Sequence, residues 1–447
     1  MVPLVDIVIR NGKLFLPKGI ADGELSIDGG SIHKIALSGL PRGDREINAR
    51  GKLIIPGVID AHVHLYDKNF LSRGDFKSGS QAAAAGGVTT VVVMPLDSPV
   101  ISKSSIKDVI DHGCKNSIID FALHAGNMTV ETIKQVQDIS SLGIKSYKVF
   151  TCDPYLMPYH NIRELMNSVK SVNGVTFVHA EDNDILREKG ERVLKDKRKD
   201  LLAHTDSRPN QAEKKAVERI IELANASECR VHLAHITTKE GCKLVKMAKK
   251  NGTLVSAETC PHFLIFTRKD IERLGPYLKI NPPLKTNMDR ATLWKSLAAG
   301  IIDIVATDHA PGLREEKEAG WTDIWRAPSG VPGVETLLTL MLSEGVGKRR
   351  ISMNRMVNTL CTKAAKLFGL YPRKGVIQEG SDADLVMLDL KKEGIISAEK
   401  LHYKVGWSPY EGMRVRGMPT MTIVRGSTVV EDGKIFVEAG HGKFLKR

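Results

Sequence analysis

Between residues 55 and 310 the chain alternates short apolar runs with longer segments of helical periodicity. The runs are VIDAHVH, VTTVVVM, IIDFALH, IKSYKVF, VTFVHA, CRVHLAH, TLVSAE and IDIVATD. The segments that follow them, such as QAEKKAVERIIELA, CKLVKMAKKNG and RATLWKSLAAG, place apolar residues three and four apart. Strand followed by helix predicts a parallel sheet, and eight such units over roughly 300 residues fit a (β/α)8 barrel. An open doubly wound sheet would want a glycine-rich phosphate loop after its first strand, and the sequence has none there.

The two ends of the chain carry a different pattern. VDIVIR, KLFL, GELSIDG, SIHKIAL and KLII read as short strands, with Asn11-Gly12 and Gly29-Gly30 as turn signals between them. ADLVMLDL, TMTIVRG, STVVEDG and KIFVEAG read the same way near the other end, with Asp432-Gly433 as a hairpin turn. DIVIRNGKLF and TIVRGSTVVEDGKIF echo each other. Neither end has much core of its own. They are expected to pair into one small β domain, residues 1–54 with 375–447, beside a barrel of residues 55–374.

Composition narrows the class. The 447 residues are 42% hydrophobic and 26% charged, an ordinary globular balance. The net charge of +13 is scattered. Its one dense run, Lys195 to Asp200, alternates sign and reads as a solvated helix face, so no nucleic-acid partner is expected. Cys114, Cys152, Cys229, Cys242, Cys260 and Cys361 form no C-x-x-C pair and read as free thiols of a reducing compartment. The start, MVPLVDIVIRNGKLF, lacks a signal peptide's basic segment and long apolar run, and no stretch approaches the ~20 apolar residues of a membrane span. A cytoplasmic protein without a membrane partner is expected.

The chemistry lies where polar residues interrupt the apolar runs. His62 and His64 close the first run two residues apart, on one strand face, with Asp60 behind them. The fourth run carries Lys148, the fifth His179, the sixth His235 and the eighth Asp308. In a barrel the C-terminal strand ends converge on one rim, where active sites lie. A single buried histidine is more often a satisfied core residue. Four histidines, an aspartate and a lysine at one rim would each need a desolvated partner, and a divalent metal supplies it for all. Lys148 has two readings. It is a salt-bridge partner of Asp308 or another acid. Alternatively, neutral beside a dication, it reacts with carbon dioxide to give a carbamate, an oxygen ligand able to bridge two ions.

The segments PGVIDAHVHL, AAAAGGVTTVVVMP, SYKVF, VHAED, VHLAHITTKEG, ETCPHFL, KINPPLK, ATDHAP, SGVPGVETLL, LFGLYPRKG, GSDADLVMLDL and SPYEGMRVRG together resemble the cyclic amidohydrolases: hydantoinase or dihydropyrimidinase, allantoinase and dihydroorotase. The resemblance runs nearly the whole length. It implies a metal-dependent (β/α)8 barrel with a β-sandwich made from both chain ends. It also implies two divalent ions, zinc by preference, one on His62 and His64 and the other on His179 and His235. Carbamylated Lys148 would bridge them, and Asp308 would be both ligand and proton shuttle. A metal-bridging hydroxide would attack the ring carbonyl, so Ser256 and Cys260 need no catalytic role. Asn281, Tyr155, Thr259 and Ser329 are the expected substrate contacts, and a homo-oligomer, dimer or tetramer, is expected.

Departures from the family bear on the ring that is opened. Dihydroorotases typically place an arginine after His-x-His-Leu, an asparagine after Met-Pro and a histidine after Asp-His-Ala-Pro. Here those places hold Tyr66, Leu96 and Gly312. Asn281 is retained, and Arg73 lies nearby but out of position. MPLDSP resembles allantoinases, GWTDIWRA resembles hydantoinases and allantoinases, and YPRKG and GSDADL suit hydantoinases. NPPLK and ATDHAP are dihydroorotase-like. The reading is a hydantoinase- or allantoinase-like enzyme acting on a small cyclic amide, with dihydroorotase of pyrimidine biosynthesis as the alternative. Relatives that are structural proteins have lost metal ligands, whereas all six positions are kept here.

Overall fold

The computed structural model describes residues 5–95 and 99–447, so Leu96 lies outside the described residues. Each of the eight apolar runs contains a strand: Val58–Val63, Val88–Val93, Asp120–Leu123, Ser146–Phe150, Val175–His179, Val231–Leu233, Val255–Thr259 and Ile304–Val305. All pair in parallel, the first three in one sheet and the other five in a second. Single parallel bridges, Ala125 to Tyr147 and Val63 to His309, join the two sheets at both margins. Neighbouring strands thus follow chain order around a ring, as in a (β/α)8 barrel. The helices between them bury one stripe each. Asn210–Ser227 turns Ala212, Ala216, Val217, Ile220, Leu223 and Ala224 inward and ends at Glu228, whose φ is +51°. Among the described residues no helix is long and apolar enough to cross a membrane.

The two chain ends form one nine-stranded sheet. Its order is Lys434–Ile435, Ser427–Glu431, Arg414–Val424, Leu385–Ile395, Leu53–Pro56, Val5–Leu16, Gly19–Asp28 and Ser31–Ala36, with Gly43–Asn48 also paired to Val5–Leu16. The seam between the ends is the antiparallel pairing of Leu53–Pro56 with Leu385–Ile395. Ile9, Leu14, Leu25 and Ile27 from one end meet Leu385, Met387, Met421 and Ile423 from the other in a separate apolar cluster. Neither end could bury that surface alone, because each supplies only part of the cluster.

Three local expectations are corrected. Asn11-Gly12 is not a turn. Val5–Leu16 runs through it as one strand, with a register break between Ile9 and Gly12 and Asn11 at φ +56°. That is a bulge, and a Cβ at Gly12 would come within 2.8 Å of Ile54 Cδ1, so the Ile54 side chain would have to shift. The mixed-charge run at 195–200 is not a helix face. Only Lys195 belongs to the helix Asn183–Lys195, as its last residue; the rest follows it, where Arg198 pairs with Asp200 and Asp206. The last residues do not stay with the sheet. The Phe121 N–H donates to the Lys443 carbonyl (3.0 Å) and the Leu445 N–H to that of Phe121 (2.8 Å), tying the tail to the barrel.

A buried ionic knot links sheet and barrel. Lys374 donates to Asp120 Oδ2 on the third barrel strand (2.7 Å) and to Asp384 Oδ2 beside the sheet (2.6 Å), with Asp382 Oδ2 at 3.0 Å. Arg425 also contacts Asp120. Lys374→Met would strand buried carboxylates and is expected to destabilise by ~3–5 kcal/mol, read as a lower denaturant midpoint. An unchanged midpoint would show that Arg425 alone satisfies them.

Candidate metal centre and active-site cavity

The C-terminal strand ends hold their polar residues around one cavity, lined by His62, His64, Lys148, His179, His235 and Asp308. His62, Lys148 and His179 sit on their strands; His64, His235 and Asp308 lie just past theirs. The His64 N–H donates to the His309 carbonyl (2.8 Å), a bond at the margin between the two sheets. Asp60 accepts from the Thr307 N–H (3.0 Å) and hydroxyl (2.5 Å), fixing the first strand end against the eighth. His235 and Asp308 take φ values of +31° and +49°. Residues other than glycine seldom adopt such backbone, and strain of this kind clusters at functional sites.

The side-chain atoms converge on two points. At the first, Nε2 of His62 and Nε2 of His64 each lie 3.2 Å from Asp308 Oδ1. At the second, Nδ1 of His179 lies 3.0 Å from Nε2 of His235. Lys148 lines the same cavity, and its charge lowers His64, His179 and His235 alike. Its ammonium is buried 4.9 Å from the centre of the Phe150 ring and 4.8 Å from that of Phe177. Among the described residues it forms no ion pair, so the salt-bridge reading is not what the fold builds. Burial pushes the Lys148 amine down to about 8, against the attraction of Asp308 and Glu258.

Two buried glutamates set the histidine tautomers. The Nδ1–H of His62 donates to Glu258 Oε1 (2.5 Å), which leaves Nε2 bare at the first point. The Nε2–H of His179 donates to Glu181 Oε2 (2.9 Å), which leaves Nδ1 bare at the second. Glu258 is shared with His232 (3.2 Å), and Glu181 is paired with Arg208. Burial alone would raise both carboxyls. The Arg208 charge and the His179 bond outweigh it at Glu181, and His62 and His232 do so at Glu258, so both stay below the usual carboxylate range. Burial also lowers His64, His179 and His235, keeping imidazole lone pairs free. Buried His62 Nε2 has no hydrogen-bond partner although it faces Asp308. Neutral imidazoles, a bare buried nitrogen and a carboxylate are a donor set that fits divalent cations such as zinc. Glu181, Glu258 and Arg208 were not singled out in the sequence. Glu181 and Glu258 stand inside VHAED and ETCPHFL; Glu181 backs His179 of its own segment, while the pairing of Glu258 with His62 emerges only in three dimensions.

The expected substrate contacts divide. Tyr155, Asn281 and Ser329 line the cavity, and the His204 Nε2–H holds Asn281 Oδ1 (2.8 Å). Thr259 does not line it: its hydroxyl donates to the Ile236 carbonyl (2.9 Å), so it supports the scaffold. His262, which sequence reasoning passed over, lines the cavity with both ring nitrogens buried and unpartnered. Tyr66 stacks on His112 with ring centres 4.4 Å apart, away from the cavity. Arg73 is bound through two nitrogens to Glu316 (2.8 and 3.0 Å) and does not reach the cavity either.

A sequence profile described as the amidohydrolase family matches residues 53–429. The chain belongs to the amidohydrolase family. This amidohydrolase is 34% identical over 451 residues to an L-hydantoinase of Paenarthrobacter aurescens, covering 99% of this chain and 98% of the relative. It is 35% identical over 449 residues to an allantoinase of Rubrobacter xylanophilus, covering 98% and 96%. Relatives named dihydroorotase match at 32–35% identity. The solved structure of L-hydantoinase (dihydropyrimidinase) from Arthrobacter aurescens superposes with a TM-score of 0.96 at 33% identity, covering 99% of this chain and 100% of that one. The amidohydrolase is therefore a hydrolase of cyclic amides. The family is metal-dependent, and His62, His64 and Asp308 form a group able to hold an ion.

Proposed function

We propose that this amidohydrolase opens a neutral cyclic ureide or imide, in the manner of a hydantoinase, dihydropyrimidinase or allantoinase. One observation carries the choice. Among the described cavity residues Arg208 is the guanidinium, and Glu181 already takes its charge. Among the described residues no free planar cation lines the cavity for a substrate carboxylate, and a desolvated carboxylate binds poorly without one. Gly312, where dihydroorotases place a histidine, has no room: a Cβ would come within 2.6 Å of Pro328 Cγ.

His62 and His64 would hold one zinc ion and His179 and His235 the other, with carbamylated Lys148 and Asp308 completing the set. When bound, the two ions supply Lewis acidity, polarising the ring carbonyl and lowering the pKa of water. The chain's own groups do the rest. Glu258 and Glu181 keep His62 and His179 in the tautomers that face the centre. Phe150 and Phe177 shield Lys148 from water. Tyr155, Asn281 and Ser329 orient the ring. Asp308 accepts a proton from the attacking water and returns it to the leaving ring nitrogen, so water adds across the broken C–N bond to give a carboxylate and a freed N–H. We place the protein in the cytoplasm, which its six free cysteines support, as a homodimer or homotetramer, which rests on family resemblance.

A ring-opening panel tests this reading. A missing carboxylate anchor is worth roughly 2–5 kcal/mol, so kcat/KM for dihydroorotate should fall ~30- to several-thousand-fold below that for hydantoin, dihydrouracil or allantoin. Dihydroorotate turned over faster than every neutral ring would make the protein a dihydroorotase.

A further inference from the structure

At the opposite end of the barrel, where the strands begin, a cleft is lined by Lys145, Asn173, Arg230, Leu367, Phe368 and Arg447 among others. Three of its lining residues are cations and none is acidic. Each cation is bonded only to neutral groups. Lys145 Nζ donates to Ser140 Oγ (2.5 Å), and Arg230 donates to Oδ1 (3.0 Å) and the carbonyl of Asn173. Arg447 Nη2 donates to Ser146 Oγ (2.8 Å) and the Leu123 carbonyl, while Nε and Nη1 are buried without a partner. Burial pushes the Arg447 guanidinium down to about 10. Among the described residues no carboxylate pairs with any of the three.

A guanidinium of which two nitrogens are buried without a partner is costly, and its planar fork matches the oxygens of a carboxylate or phosphate. We propose that this cleft binds a small oxyanion, a phosphate or carboxylate group, between Arg447, Arg230 and Lys145. The site is separate from the catalytic rim and stands whether or not the proposed substrate is right. Because Arg447 sits on the tail that returns to the third strand, the anion clamps residues 440–447 against the barrel. Occupancy stabilises the fold by mass action.

The test follows the melting temperature of the full-length, metal-loaded protein as inorganic phosphate or acetate is raised, with ionic strength held constant by sodium chloride. A rise with phosphate alone, acetate alone or both is expected and identifies the anion's chemistry. In the K145Q/R230Q double variant, and separately in R447M, the apparent affinity should fall about tenfold or more, as for lost charge-assisted bonds. Ring-opening kcat/KM should be unchanged in the double variant. No rise with either anion, or the same rise in wild type and double variant, would overturn the proposal, the latter placing the anion at another site such as the metal centre.

Discussion

Asp308→Asn is expected to lower kcat by ~10²–10⁴ while the protein stays folded and keeps most of its metal. The shape of the side chain is preserved. Its backbone sits at φ +49°, and asparagine tolerates that region best after glycine, so the strand end should not rearrange. What is lost is the charge. Burial would raise the Asp308 carboxyl, but His62 and His64 hold it well below the usual range, so it is the anion at neutral pH. An amide cannot accept and return a proton. His62 and His64 would still face the first point through Nε2, so metal analysis should change far less than turnover. A variant with near wild-type kcat would remove Asp308 from the proton path.

Lys148→Ala is expected to lose metal and activity together, and a short-chain carboxylic acid should partly restore both. Carbamate formation needs the neutral amine, which adds to carbon dioxide and releases a proton. An ordinary lysine is neutral in only about 0.03% of molecules at neutral pH. With its amine pushed down to about 8, Lys148 is neutral in about a tenth of them. In the pocket walled by Phe150 and Phe177, burial outweighs the attraction of Asp308 and Glu258, which only partly offsets it. A carbamate would give this buried position the anionic oxygens that an ammonium lacks. Electron density for an unmodified Lys148 in an active, metal-loaded crystal would contradict the assignment.

The barrel and the location of its site were legible because both follow from periodicity. Eight apolar runs of strand length give the parallel ring, and the polar residues that break their C-terminal ends come to line one cavity. Pairing partners were not legible, since alternation says which face a residue takes and not what it meets there. Gly43–Asn48 buries little beyond Ile47 and carries almost no apolar signal, so it went unread as a strand. Asn11-Gly12 has the spelling of a hairpin, yet the strand runs through it as a bulge with Asn11 at φ +56°. Thr259 stands one residue from Glu258 and points its hydroxyl at a backbone carbonyl. Arg73 had the charge to replace a missing anchor, but Glu316, far off in sequence, holds it away. Glu258 acts through His62, from another strand, which only the closed ring brings near, whereas Glu181 backs His179 two residues before it.

Metal analysis of the purified, active protein tests the account most directly. Two convergence points in one cavity that also holds Lys148 predict about two divalent ions per chain, lost with activity on chelation and regained with it when zinc is returned. A fully active protein carrying no bound metal, or a single ion, would contradict the account.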